Sequence, residues 1–238
     1  MVYDRFTMTV KHPTQDSSIE TLSTFPVCWR CADPEHAQSN ASGSELNPVT
    51  DLDDPQLDDR LGRIVRLQHP FLLLRNMTAI ADIQRLDTRL SLAEAEDGLP
   101  RGRARIIACP SDTPESALLA RDFRNVSRRL TALLWDGRAL YEALGFSWSA
   151  QQEAPEPVRQ ARSLFLLSAA AARIPVMDGE TAERGHTDFA AACQKAAADG
   201  FHAMLARHEW QCPIIMSVFR RDQTEGRFNS NTSEPPSE

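Results

Sequence analysis

Apolar positions along the chain fall into short continuous runs separated by longer stretches of helical spacing, the pattern of strands and helices taking turns. Phe71-Leu72-Leu73-Leu74 is an unbroken apolar run of strand length, as a parallel strand covered on both faces requires. Beyond it, Thr78 is placed to cap a helix that shows Ile80, Ile83, Leu86 and Leu90 on one face and fades near Asp97-Gly98. Further strand-like runs follow at 105–109 and 130–135. From 158 onward Leu164, Leu167 and Ala171 recur at helical spacing, beside an alanine-rich narrow face. This helix is expected to stop at Ile174-Pro175, because proline disfavours a helical predecessor. A short apolar run then ends in Asp178-Gly179, and a second helix over 188–199 closes on Gly200, the usual residue just past a helix. A strand at 203–206 leads to His208 and a third amphipathic stretch. One strand every ~25–30 residues, each followed by a helix, is the rhythm of parallel α/β architecture.

The first sixty residues carry less pattern. Residues 3–10 alternate weakly and are a candidate strand, while 38–59 are rich in Ser, Asn, Asp and Pro and read as a loop, with the acidic stretch 51–59 a solvated, turn-rich connection. Three segments follow: 1–60, one or two strands plus loop; 61–219, the α/β body; and 220–238, a polar tail with Pro235-Pro236 expected to be disordered. Cys28 and Cys31 form a Cys-x-x-Cys pair, which reads either as half a zinc site or redox dithiol, with His36 as a third ligand, or as ordinary packing. No second pair and no thioredoxin-like surroundings accompany it.

Composition narrows the classes. A chain of 238 residues buries one sizeable core but is short for a complete eight-stranded barrel, which runs near ~250 residues. The net charge of −7, with acidic and basic residues interspersed, leaves no basic stripe, so no nucleic-acid partner is expected. No apolar run reaches the ~18 residues of a membrane span, so no membrane partner is expected either. Asp4, Arg5 and Lys11 interrupt any secretory h-region, and five scattered cysteines fit a reducing, cytoplasmic setting.

Arg162-Ser163, the alanine run, Ile174-Pro175 with Asp178-Gly179, and Gly200-Phe201 with His208 and Gln211 resemble the C-terminal half of the citrate lyase beta subunit family, of the HpcH/HpaI-type aldolases. The resemblance implies a TIM-type (β/α)8 barrel, here incomplete and holding about strands 3 to 8. It also implies a carbon–carbon lyase of the citryl-CoA or malyl-CoA type, acting on an acyl-CoA or keto acid with Mg²⁺ to polarise the carbonyl. In that register Arg30, after the run 26–29 taken as the third strand, stands where the family's arginine looks toward the substrate carboxylate. Leu74-Arg75-Asn76 replaces the family's Leu-Pro-Lys at the end of the fourth strand. Asp112 falls on a shortened Mg²⁺ ligand after the fifth strand, and reads equally as the cap of a helix beginning at Pro114. The second ligand position, after the sixth strand, holds Ala139; Asp136, or Glu142 from the next turn, is the candidate substitute metal ligand, and Asp136 reads equally as a turn residue with Gly137.

Two functions follow. One is a citrate lyase beta subunit-like lyase with an eroded Mg²⁺ site at Asp112 and Asp136 and weak or absent activity. The alternative is a non-catalytic barrel remnant that serves as a binding or oligomerisation module. A barrel short of strands bares its sheet edges, so a homo-oligomer is expected.

Overall fold

Runs such as Phe71-Leu72-Leu73-Leu74 become strands because both of their faces find cover: all four residues are buried. The computed structural model describes residues 28–29, 49–119, 122–147, 153–179, 186–206 and 208–224. Within them lie strands β1 (Cys28–Trp29), β2 (Val49–Asp51), β3 (Phe71–Arg75), β4 (Arg105–Ala108), β5 (Leu130–Trp135), β6 (Val176–Asp178) and β7 (Ala203–Leu205). The helices are α1 (Leu57–Arg66), α2 (Ala81–Glu96), α3 (Pro114–Leu119), α4 (Gly137–Ala143), α5 (Glu156–Ala172), α6 (His186–Asp199) and α7 (Gln211–Thr224).

The strands form one seven-stranded sheet in the order β1-β7-β6-β5-β4-β3-β2, and every pairing is parallel. The order is compatible with part of a barrel, and its edge strands β1 and β2 share no pairing among the described residues. The two faces of the sheet carry different cores. Leu72, Leu74, Ile106, Ala108, Leu133, Trp135, Val176 and Met204 pack under the helices in the larger cluster. On the opposite face Phe71, Leu73, Ile107, Cys109, Ala132, Leu134, Met177, Ala203 and Leu205 form a second cluster among themselves. Among the described residues no helix side chain joins this second cluster, an arrangement compatible with the inner face of part of a barrel.

Four expectations change. Cys28 and Trp29 pair with Met204 and Leu205 of β7, not with the Phe71 strand, whose outer neighbour is Val49–Asp51. The stretch 38–59 therefore holds a strand, and also the start of α1, whose buried Leu57, Leu61, Ile64 and Val65 face the core. On α5 the stripe Leu164, Leu167, Ala171 lies outward, and Val158, Phe165, Ala169 and Ala172 are buried instead. Their spacing of seven, four and three is also helical, so periodicity alone does not choose between the two stripes. Trp135 and Phe201 decide it, because their rings lie 5.5 and 6.5 Å from that of Phe165. Helix α7 continues past 219 to Thr224, into the stretch read as tail. The candidate strand at 3–10, together with Arg30, Cys31 and His36, lies outside the described residues.

Candidate functional site

Side chains alternate between the faces of a strand, so the helix-free cluster continues past the carboxyl ends of the strands in fixed positions. After Phe71 and Leu73 comes Arg75; after Ile107 and Cys109 comes Ser111; after Ala132 and Leu134 comes Asp136; after Met177 comes Gly179. A one-residue irregularity in the β4–β5 register sets Ala132 beside Ile107 and so keeps Asp136 on the same face as Arg75. In α/β barrels this end carries the chemistry.

Three side chains meet there. The Arg75 guanidinium places Nη1 at 2.8 Å from Asp136 Oδ2 and Nε at 3.5 Å from Asp112 Oδ2. Both aspartates are nine-tenths buried or more, with 5% and 4% of their surface exposed. Each is also held by the backbone: the Asn76 N–H donates to Asp112 Oδ2 at 2.7 Å, and the Ala139 N–H donates to Asp136 Oδ1 at 3.2 Å. Asn76 reaches its place through a left-handed backbone (φ 51°), which asparagine tolerates, and its amide donates to Asp51 Oδ2 at 2.6 Å. Ser111 Oγ accepts from the Asp136 N–H at 2.8 Å and donates to Leu134 O at 3.3 Å. Asp112 Oδ1 is buried and has no hydrogen-bond partner.

Burial pushes the Asp112 carboxyl above its ordinary range, and the Asn76 N–H and Arg75 only partly offset it. Burial opposes the charge on Arg75, but the Asp136 and Asp112 carboxylates around it push its pKa up. Cys109 beneath them is fully buried, and burial together with the Asp112 charge pushes its thiol far up, so it offers no thiolate. Asp178, of the opposite parity, instead helps burial push Cys193 up to about 12.

The helix that follows Asp112 is capped by its neighbour. Thr113 Oγ1 accepts from the Ser116 N–H at 3.1 Å and Ser116 Oγ accepts from the Thr113 N–H at 3.2 Å, a reciprocal box that leaves Asp112 free of the capping role. Asp136 does cap α4, and Ala139 lies in that helix's first turn rather than at the end of β5. His208 is exposed, its N–H held by Gln211 Oε1 at 3.0 Å and its ring stacked on Trp210. Arg75 is the residue that sequence reasoning passed over; its signal was an arginine at the next position of the same parity as Phe71 and Leu73. A surface hollow of about 350 Å³ along α5, lined by Glu156, Arg159, Gln160, Ser163 and Leu164, lies apart from this chemistry.

Gly179 closes the ring of positions. Its N–H donates to Trp135 O at 2.8 Å, and a Cβ there would stand 2.9 Å from the same oxygen and 3.2 Å from Leu134 Cδ1. Gly179→Ala is expected to cost about 1–3 kcal/mol, by the usual cost of overpacking, read as a lower denaturant midpoint. An unchanged midpoint would show that the end of β6 gives way freely.

A resident Mg²⁺ does not fit this donor set as it stands. Mg²⁺ takes about six oxygens near ~2.1 Å, whereas a guanidinium already joins these two carboxylates. Among the described residues, no group of three or more His, Cys, Asp or Glu side chains is placed to hold a metal ion.

No protein-family model matches the chain, and no curated protein matches its sequence. Solved structures do match its fold. RipC from Yersinia pestis is 18% identical, with a TM-score of 0.59 over 73% of this chain and 76% of that one. The citrate lyase beta subunit of Mycobacterium tuberculosis, solved with oxaloacetate and magnesium, is 19% identical, with a TM-score of 0.56 over 80% of this chain and 75% of that one. A malate synthase from Haloferax volcanii, in a ternary complex with pyruvate and acetyl-CoA, is 16% identical, with a TM-score of 0.58 over 74% of this chain and 51% of that one. The chain shares the fold of these proteins.

Proposed function

We propose that the chain is a citrate lyase beta subunit-like protein that takes a keto acid or acyl-CoA at the carboxyl ends of its strands, with Mg²⁺-dependent citryl-CoA or malyl-CoA cleavage weak or absent. The observation that carries this reading is the Arg75 guanidinium between Asp112 and Asp136, on the end of the sheet where α/β barrels do chemistry. A fixed arginine can hold a ligand carboxylate, but it does not replace the Lewis acidity of a divalent ion toward a thioester or keto carbonyl. The fold matches support the ligand class, because the Mycobacterium tuberculosis and Haloferax volcanii proteins were solved with keto acids, the latter also with acetyl-CoA. Arg30, which the resemblance assigns to the substrate carboxylate, lies outside the described residues, just past a strand that pairs with β7.

The test is a cleavage assay with citryl-CoA and malyl-CoA in Mg²⁺, paired with melting curves in oxaloacetate. Product at background, with a melting shift that does not need Mg²⁺, is the expected result. Cleavage that depends on Mg²⁺ and disappears in Asp112→Asn would overturn the reading.

A second reading, a non-catalytic oligomerisation module, is favoured by the outward leucines Leu118, Leu164 and Leu167 on α3 and α5, which pack against each other. On this reading the partner is a second copy of the chain, and sedimentation would show it. No described helix is long and apolar enough to cross a membrane.

A further inference from the structure

We infer that the Arg75 guanidinium is the built-in cation of the strand-end cluster: it fills the place from which a divalent ion would engage both Asp112 and Asp136, so the cluster binds such an ion only once Arg75 is removed. The inference rests on how each carboxylate divides its oxygens. One oxygen of each is fixed by a backbone N–H, Asp112 Oδ2 by Asn76 and Asp136 Oδ1 by Ala139. Each carboxylate is thus anchored by a contact other than the arginine. The other two oxygens are the ones a cation would use. Asp136 Oδ2 is taken up by Arg75 Nη1 at 2.8 Å, Arg75 Nε stands 3.5 Å from Asp112 Oδ2, and Asp112 Oδ1 beside it is buried with no partner. Removing the guanidinium leaves two anchored hard-oxygen donors on adjacent strands, together with the volume of the missing side chain for the water ligands that Mg²⁺ or Mn²⁺ retains. In the wild type the same volume holds a charge that repels a second cation. The conclusion does not depend on the lyase reading, since a chain with no cleavage activity would exclude the ion equally well.

Mn²⁺ is the probe, followed by its electron paramagnetic resonance signal and by calorimetry on the full chain. Wild type is expected to bind no stoichiometric Mn²⁺ at millimolar concentration. Arg75→Ala is expected to bind one ion at least tenfold more tightly than wild type, and adding Asp136→Asn to it should abolish that binding. Arg75→Gln, which fills more of the space with a neutral side chain, provides the same comparison if Arg75→Ala does not fold. Arg75→Lys, which keeps a cation on the strand end, should stay as blind to Mn²⁺ as wild type. One Mn²⁺ bound by wild type through Asp112 and Asp136 overturns the inference, as does a folded Arg75→Ala or Arg75→Gln protein that binds no better than wild type. Either result would leave the cleavage assay unaffected, so the two readings fail separately.

Discussion

Arg129→Met is expected to lower stability by about 3–5 kcal/mol at neutral pH, the usual cost of removing one partner from a buried ion pair. Arg129 is 2% exposed and sits at the amino ends of β4 and β5, opposite the strand-end cluster. Its guanidinium donates to Glu94 Oε1 at 2.8 Å and Oε2 at 2.6 Å, to Ala104 O at 3.0 Å, to Ser91 Oγ at 2.9 Å and to Asp87 Oδ1 at 2.7 Å. Glu94, 1% exposed, also accepts from the N–H groups of Gly102, Arg103 and Ala104 at 2.8, 2.9 and 3.1 Å. That second set separates this network from a simple buried pair, which apolar replacement can leave neutral. A Glu94→Leu and Arg129→Met double variant would leave three backbone donors without an acceptor, so it should not regain wild-type stability. The pH dependence follows from the same contacts. Burial pushes the Glu94 carboxyl up, but the hydrogen bonds from Arg129, Gly102 and Ala104 outweigh it and hold the pKa below its ordinary 4.5; Asp87 is lowered likewise, with Ser127 and Arg129 outweighing burial. The unfolded chain thus binds these protons more tightly than the folded one. The stabilisation is complete above the unfolded carboxylate range and is lost as pH falls through the lowered folded values. In Arg129→Met, Glu94 keeps its backbone N–H donors but loses the opposite charge, so it gains less from being charged, and the gap from wild type should be widest at neutral pH and narrow below about pH 4.5. Urea midpoints across that range check it, and a gap that stayed constant with pH would mean that Arg129 acts through packing alone.

The strands from β3 to β7 were legible because each is a run of apolar residues whose both faces are covered, and such runs leave a mark in the sequence whatever lies beside them. Sheet order leaves no such mark for a strand as short as Cys28–Trp29. Nothing within a two-residue element gives a reason to place it beside β7. Helix α1 was legible in principle. Leu57, Leu61, Ile64 and Val65 have helical spacing, Asp58 and Asp59 lie in its first turn, and Arg63 and Arg66 lie in its last, as the helix dipole favours. The acidic stretch 51–59 overlaps its first turn, and that overlap drew Leu57, Asp58 and Asp59 into the loop. In the site, Asp112 and Asp136 stood out as carboxylates just past apolar runs. That a single guanidinium joins them depends on strand parity and on the β4–β5 register irregularity, and no count along one segment contains either. Ala139, where the resemblance puts the second ligand position, lies in the first turn of α4, and its N–H anchors Asp136.

Phe165→Ala is expected to cost about 3–5 kcal/mol, while Leu167→Ala two positions along the same helix changes stability by less than about 0.5 kcal/mol. Phe165 is 2% exposed and lies between the rings of Trp135 on β5 and Phe201 before β7, so its side chain ties α5 to two strands at once. Arg162 extends the stack, with its guanidinium carbon 4.8 Å from the Phe201 ring centre. Ala169 and Ala172, one and two turns further on, are small enough for the helix to approach the sheet closely, so no neighbouring side chain can fill the space that Phe165 would vacate. Leu167, 67% exposed, has no such neighbours to lose in the monomer. The pair of variants therefore measures which of two equally helical stripes faces the sheet. Equal losses at Phe165 and Leu167 would mean that α5 is covered on both sides in solution, which is the outcome that self-association through Leu164 and Leu167 requires, and its dependence on protein concentration would identify the second copy as the cover.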